Sequence, residues 1–184
     1  MARMCVVAMF PLLVVAVLGV TLADQDSAGS CPRPGTEGAE PACSGQRETL
    51  PCPDPYFPLG DTCYWIPDAR RQMEDGHVYC AVREPDGYTA RLAVLDDCDK
   101  LAAVANYIAD TLDTKTSYWI GGTDLFEEDH WFWLNKAKVV RGAPFWETGQ
   151  PNGHTKENHL VLNHHGRLED RDASDLLPFI CQLK

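Results

Sequence analysis

Positive charge is scarce in this chain: 16 Lys and Arg stand against 27 Asp and Glu, a formal net charge of −11 over 184 residues. A surface that acidic repels a phosphate backbone, which excludes nucleic acid as a partner. No Gly-x-Ser-x-Gly, phosphate loop or nucleophile elbow occurs, so the expectation is that the chain is no enzyme. His-Glu-x-x-His and Cys-x-x-Cys spacings are missing too. The six histidines, His77, His130, His154, His159, His164 and His165, therefore read as solvated side chains and not as zinc ligands. There is no Asn-x-Ser/Thr acceptor for N-glycosylation, no internal repeat, and no bilayer-length apolar run after residue 22.

The one such run lies at the start. Residues 5–22 are apolar and follow the single positive charge of Arg3, while Thr21 and Ala23 put small side chains at −3 and −1 of a cut before Asp24. That layout predicts a secretory signal peptide over residues 1–23; an uncleaved membrane anchor is the competing reading. Cleavage leaves 15 Lys and Arg against 27 acids, a formal charge of −12, and a secreted, extracellular protein with no membrane span. Seven cysteines remain, Cys31, Cys43, Cys52, Cys63, Cys80, Cys98 and Cys181, which in an oxidising compartment pair for the most part, with one left over.

Residues 24–51 are rich in Pro, Gly, Ser and Glu, with almost nothing large and apolar to bury, and read as a flexible tail that a Cys31–Cys43 bridge would pinch. The folded domain is expected over 52–184. Its first run, CPDPYFPLGDTCYWI, reads as a hairpin closed by a local Cys52–Cys63 disulfide. A first helix is expected over about Ala69–Cys80, weakened by Gly76. A second carries Leu101, Val104, Ala105 and Ile108 at helical spacing, with Asp96 or Asp97 to cap it. Beyond residue 117 the runs SYWIGGTDL, HWFWL, FWETG, NHLVL and LPFICQL are short, aromatic or β-branched, and read as strands. Two helices followed by short strands predict an α+β fold with an antiparallel sheet.

Taken in order, these landmarks resemble the C-type lectin family. They are the Cys-Pro…Cys-Tyr run of residues 52–64, Cys80, WIGGTD at 119–124, WFW at 131–133, FWETGQPN at 145–152, Glu157, the acidic pair 169–170 and PFIC at 178–181. The resemblance covers the whole of 52–184 in its long form. It implies two helices with antiparallel strands and a long calcium-binding loop region, a Cys80–Cys181 disulfide, and Trp119, Trp131, Trp133 and Trp146 in the core. A second family bridge would join positions 159 and 173, here His159 and Ala173, so both of its cysteines are missing together.

The resemblance also implies a Ca²⁺ site. Calcium takes about six to eight oxygens from carboxylates and carbonyls. The matching positions are Gln150-Pro151-Asn152, with the Pro in the cis form usual for the family, then Glu157 and the pair Glu169-Asp170 after Leu168. Three carboxylates and two amides preserve the family's charge count, although Gln150, Glu169 and Leu168 each depart from its pattern. A weak accessory calcium site is implied at Asp124, Glu128 and Asn158, with Gly153 where a further carboxylate is expected.

Carbohydrate is then the expected partner, held by Gln150, Asn152, Glu157, Glu169, Asp170 and His154. Each sugar hydroxyl should meet one acid and one amide. Here Gln150/Asn152 is amide with amide and Glu157/Glu169 acid with acid, which predicts weak, broad binding. Secreted single-domain relatives of this kind imply recognition of microbial surface glycans in innate immunity. The competing reading is a calcium-independent, lectin-like module that binds protein or another surface. Cys98, without a counterpart in the family scheme, is expected to be unpaired or to link a homodimer.

Overall fold

Cys80, in the first helix, is bonded to Cys181 in the last strand, 101 residues later. Closing a loop of that length removes unfolded-state freedom worth roughly 4–5 kcal/mol in the chain-entropy account. This is the staple the resemblance implied, and the expected Cys52–Cys63 bridge is also present. The structure is a computed structural model that describes residues 52–112, 115–140 and 145–184. The expected leader 1–23, the tail 24–51 and a Cys31–Cys43 bridge lie outside the described residues.

The strands are β1 (Phe57–Leu59), β2 (Thr62–Trp65), β3 (Ala90–Leu92), β4 (Tyr118–Thr123), β5 (Phe132–Trp133), β6 (His159–Leu162), β7 (Leu168–Arg171) and β8 (Cys181–Leu183). Two helices, α1 (Met73–Ala81) and α2 (Cys98–Tyr107), stand either side of β3 in the sequence. The strands form two antiparallel sheets, β1-β2-β8-β3 and β5-β4-β6-β7. The α+β expectation therefore holds. No described helix is long and apolar enough to cross a membrane.

β4 and β6 are buried on both faces, which is why YWI and HLVL read as unbroken apolar runs. Tyr118, Ile120, Leu160 and Leu162 face one cluster with Trp131, Trp133, Trp146 and Val104. Trp119 and Val161, one residue out of phase, face a second with Phe179, Leu92 and Cys80–Cys181. Trp131 and Trp146 meet edge to face at 5.2 Å, and the Trp119 indole donates to Arg71 O at 3.1 Å. The four expected core tryptophans are thus in place.

Several boundaries differ from the sequence expectation. α1 starts at Met73, not Ala69, because Arg71 is bridged in extended form to Leu177. Gly76 does not weaken the helix by chance: a Cβ there would press on the Phe179 ring at 3.3 Å, so the helix packs this closely only without a side chain. Asp97, not Asp96, caps α2, accepting from Lys100 N at 2.8 Å. FWETG forms only an isolated bridge, Trp146 to Leu168, while β3 and β7 are strands the sequence reading did not mark.

Cys98 is not an unpaired thiol. It is disulfide-bonded, and not to Cys52, Cys63, Cys80 or Cys181, which pair among themselves. Asp96 and Asp97 beside it hold the Lys100 ammonium at 2.7 and 3.0 Å, and Cys98 is half-buried. A homodimer linked by a leftover Cys98 thiol loses its basis.

Candidate carbohydrate and calcium site

Three segments build the candidate face: the loop after β4, the long connection from β5 to β6, and β7. The first two are tied at Asn158, whose carbonyl accepts from Thr123 Oγ1 at 2.7 Å and Asp124 N at 3.3 Å. The long connection turns at Glu147–Gln150, with Gln150 N donating to Glu147 O at 3.0 Å, and then passes through a cis Gln150–Pro151 bond, as the resemblance implied.

Asp170 anchors that connection. It is 1% exposed, and its carboxylate accepts from Asn152 N and Gly153 N. A 3₁₀ turn over His154–Lys156 then delivers Glu157. Gly153 has a steric reason to be glycine: a Cβ there would collide with the Glu157 side chain. The carboxylate that the accessory-site pattern placed at 153 is therefore incompatible with Glu157 where it stands.

Electrostatics mark the same spot. Burial raises the Glu157 carboxyl above its usual range, and the charge of Asp170 adds to the rise while Arg171 opposes it. Burial likewise raises Asp124, with Glu128 and Asp170 adding to it, and Asp124 Oδ1 is buried without a hydrogen-bond partner. Asp170 thus bears on both Asp124 and Glu157, and Glu128 bears on Asp124; repulsion of this kind is what a bound cation relieves. The buried Gln150 Oε1 also has no hydrogen-bond partner, and an amide oxygen left this way is a ligand-grade acceptor.

Glu169 stands apart. β7 alternates, so Leu168 and Asp170 are buried while Glu169 and Arg171 share its other face. Glu169 Oε1 accepts from Asn163 Nδ2 at 2.7 Å and Oε2 from Arg171 Nη2 at 3.1 Å. Asn163 Nδ2 also donates to Glu147 Oε2 at 3.0 Å. The Thr148 amide, then Asn163 and His165, lower the Glu147 carboxyl to about 2. Sequence reasoning missed Glu147, Asn163 and Arg171. The signal was available in strand alternation, which puts residues 169 and 171 side by side.

Asp170 therefore ties down the backbone of Asn152 and Gly153, Glu157 packs against Gly153, His154 is exposed on the same connection, and Glu169 is engaged with Asn163 and Arg171. Asn158 contributes mainly its carbonyl, its side chain donating to Thr155 O at 3.2 Å. Among the described residues no three His, Cys, Asp or Glu side chains converge as a metal group. Two carboxylates and two amides fit a sparse oxygen shell, one completed by carbonyls or water.

Comparison with known proteins points one way. A family model described as the lectin C-type domain matches residues 69–183. C-type lectin BML-2 of Bungarus multicinctus is 27% identical over 141 residues, covering 74% of this chain and 86% of that protein. C-type lectin domain family 17, member A, of Homo sapiens is 24% identical over 135 residues, and the match spans only 33% of it. Among solved structures, C-type lectin CEL-I from Cucumaria echinata superposes with a TM-score of 0.64 at 24% identity, over 72% of this chain and 97% of that one, a likeness of fold.

Proposed function

The chain belongs to the C-type lectin domain family, and on that premise we propose that it is a secreted lectin that binds carbohydrate with the help of Ca²⁺ on the face of Gln150, Asn152, Glu157 and Asp170. The observation that carries the reading is the buried, unpartnered oxygen of Gln150 on a loop that Asp170 ties down and Glu157 crowds with charge. Calcium supplies there a charge centre that neighbouring sugar hydroxyls can join. The chain's own groups do the rest. Glu157 accepts a hydrogen bond from a sugar O–H, the amide N–H groups of Gln150 and Asn152 donate to hydroxyl oxygens, and Asp170 keeps the loop in register.

The amide–amide pair at 150 and 152 offers no carboxylate to the hydroxyl it would hold, which favours weak and broad binding over strict mannose or galactose selection. The exposed His154 gives a flat edge for ring contact. Microbial surface glycans are the class of ligand that suits such breadth, with a role in innate immunity. Loop calcium should stabilise the fold modestly, with a Kd of roughly 10⁻⁴–10⁻³ M, as in extracellular modules.

The test is a glycan array in millimolar calcium and in EDTA, with thermal melts in both. Binding lost in EDTA together with a melt raised several degrees by calcium supports the proposal. One specific observation favours a second reading, a calcium-independent lectin-like module: Glu169 is held by Asn163 and Arg171. Glycan or protein binding untouched by EDTA, with identical melts, would select it.

A further inference from the structure

We propose that Arg171, with Asn163, is an internal cation clamp that keeps the Glu169 carboxylate out of the calcium site and thereby sets how weakly calcium binds; this rests on the calcium reading above. Glu169 is the third carboxylate of the donor set, and both of its oxygens are taken. Arg171 Nη2 stands 3.1 Å from Oε2, and Asn163 Nδ2 stands 2.7 Å from Oε1. The Glu169 side chain is only 13% exposed, so little water competes for it.

The clamp is itself held. Asn163 is buried, and its Oδ1 accepts the backbone N–H groups of His165 and Arg167 at 2.9 and 3.0 Å. That fixes which end of the amide donates. Its Nδ2 then bridges Glu169 to Glu147, which is pinned by the Thr148 amide at 2.9 Å. Four side chains, Glu147, Asn163, Glu169 and Arg171, thus form one connected row beside the calcium face.

Arg171 acts on that face in two ways. It satisfies Glu169, leaving Glu157 and Asp170 as the carboxylates for the ion. Its guanidinium also adds a positive charge one residue on from Asp170 along β7. A divalent cation arriving at the face would meet one carboxylate fewer and one positive charge more than the composition alone implies. Removing Arg171 withdraws that charge and frees Glu169 Oε2, leaving only the Asn163 bond on Oε1, and both changes favour calcium.

The experiment is a calorimetric calcium titration of the full chain, with melts in EDTA to confirm folding. Arg171→Gln should bind calcium roughly tenfold more tightly than wild type. Arg171→Lys, which keeps the charge, should stay near wild type. Glu169→Gln should change little alone but should cancel most of the gain when combined with Arg171→Gln. An Arg171→Gln affinity equal to wild type overturns the inference, and so does a Glu169→Gln variant that loses calcium by itself, since Glu169 would then already be a ligand. Calcium binding absent from wild type and from every folded variant overturns the calcium reading instead, and the clamp with it. Should Arg171→Gln fail to fold, the Glu169→Gln titration decides alone.

Discussion

Asp170 accepts the backbone N–H of Asn152 on both of its carboxylate oxygens, at 3.0 and 2.9 Å, and takes the N–H of Gly153 at 2.7 Å on one of them. A carboxylate is the right group for this, because it offers acceptors only and lies 1% exposed against two amides. Asp170→Ala leaves those N–H groups without a partner. Urea unfolding should show a loss of roughly 2–4 kcal/mol and the calcium-induced rise in melting temperature should vanish. A variant within experimental error of wild type would mean the loop is held by something else.

His159 should make stability depend on pH. Burial lowers its pKa below 6.5, with Glu74 and Asp172 opposing the drop. The native state keeps the ring neutral while the unfolded chain takes a proton at about 6.5, so the unfolded state binds more protons as the solution acidifies. Stability is complete above 6.5 and falls as pH drops from there through the native pKa. Urea midpoints measured from pH 7.5 to 5 should decline for wild type and run flatter for His159→Gln. Parallel profiles would rule His159 out as the source.

The long staple can be weighed directly. Cys80→Ala with Cys181→Ala should cost roughly 4–5 kcal/mol, and the variant should melt more than ten degrees lower. A loss under about 1 kcal/mol would show that the unfolded chain is already compact around these segments.

Sugar choice should follow the pairing of acids and amides. Gln150→Glu gives the tripeptide pair one acid and one amide, and Glu169→Asn removes the carboxylate that Arg171 holds, so that an amide at 169 can stand beside Glu157 as in a mannose-type site. The double variant should hold immobilised mannose clearly better than wild type in calcium, by about tenfold, one good charged hydrogen bond. Equal retention by the two proteins would undo the hydrogen-bond argument.

Much of this molecule could be read from residues alone, for definite reasons. The resemblance set Trp119, Trp131, Trp133 and Trp146 in the core, and side chains this large and apolar are costly to leave in water. The Asp96-Asp97 pair announced the start of α2, because a short acid before a helical apolar spacing caps well, and the structure selects Asp97. The order of motifs carried the site loop and its cis proline. What stayed hidden depended on partners far off in sequence. Arg71 joins Leu177 and so delays α1, which no local propensity records. Cys98 could not be assigned, because spacing does not determine pairing. Glu169 and Asp170 read as one acidic pair, yet a strand sends neighbours to opposite faces, and only recognising β7 as a strand separates them.

The stretch beyond β7 is moored to the body without sulfur. Met73 N donates to Ala173 O at 3.0 Å, Arg71 and Leu177 exchange both backbone bonds at 2.9 and 3.1 Å, and Gln72 Nε2 reaches Ser174 O at 3.3 Å. These contacts stand where the family scheme would set a bridge between positions 159 and 173. A thiol reductant can therefore open the Cys52–Cys63 hairpin and the Cys80–Cys181 seam, but it finds no bond to cut across this mooring. Chemical reduction and release of this stretch are thus separable events, linked only through the stability of the body that the loops stand on.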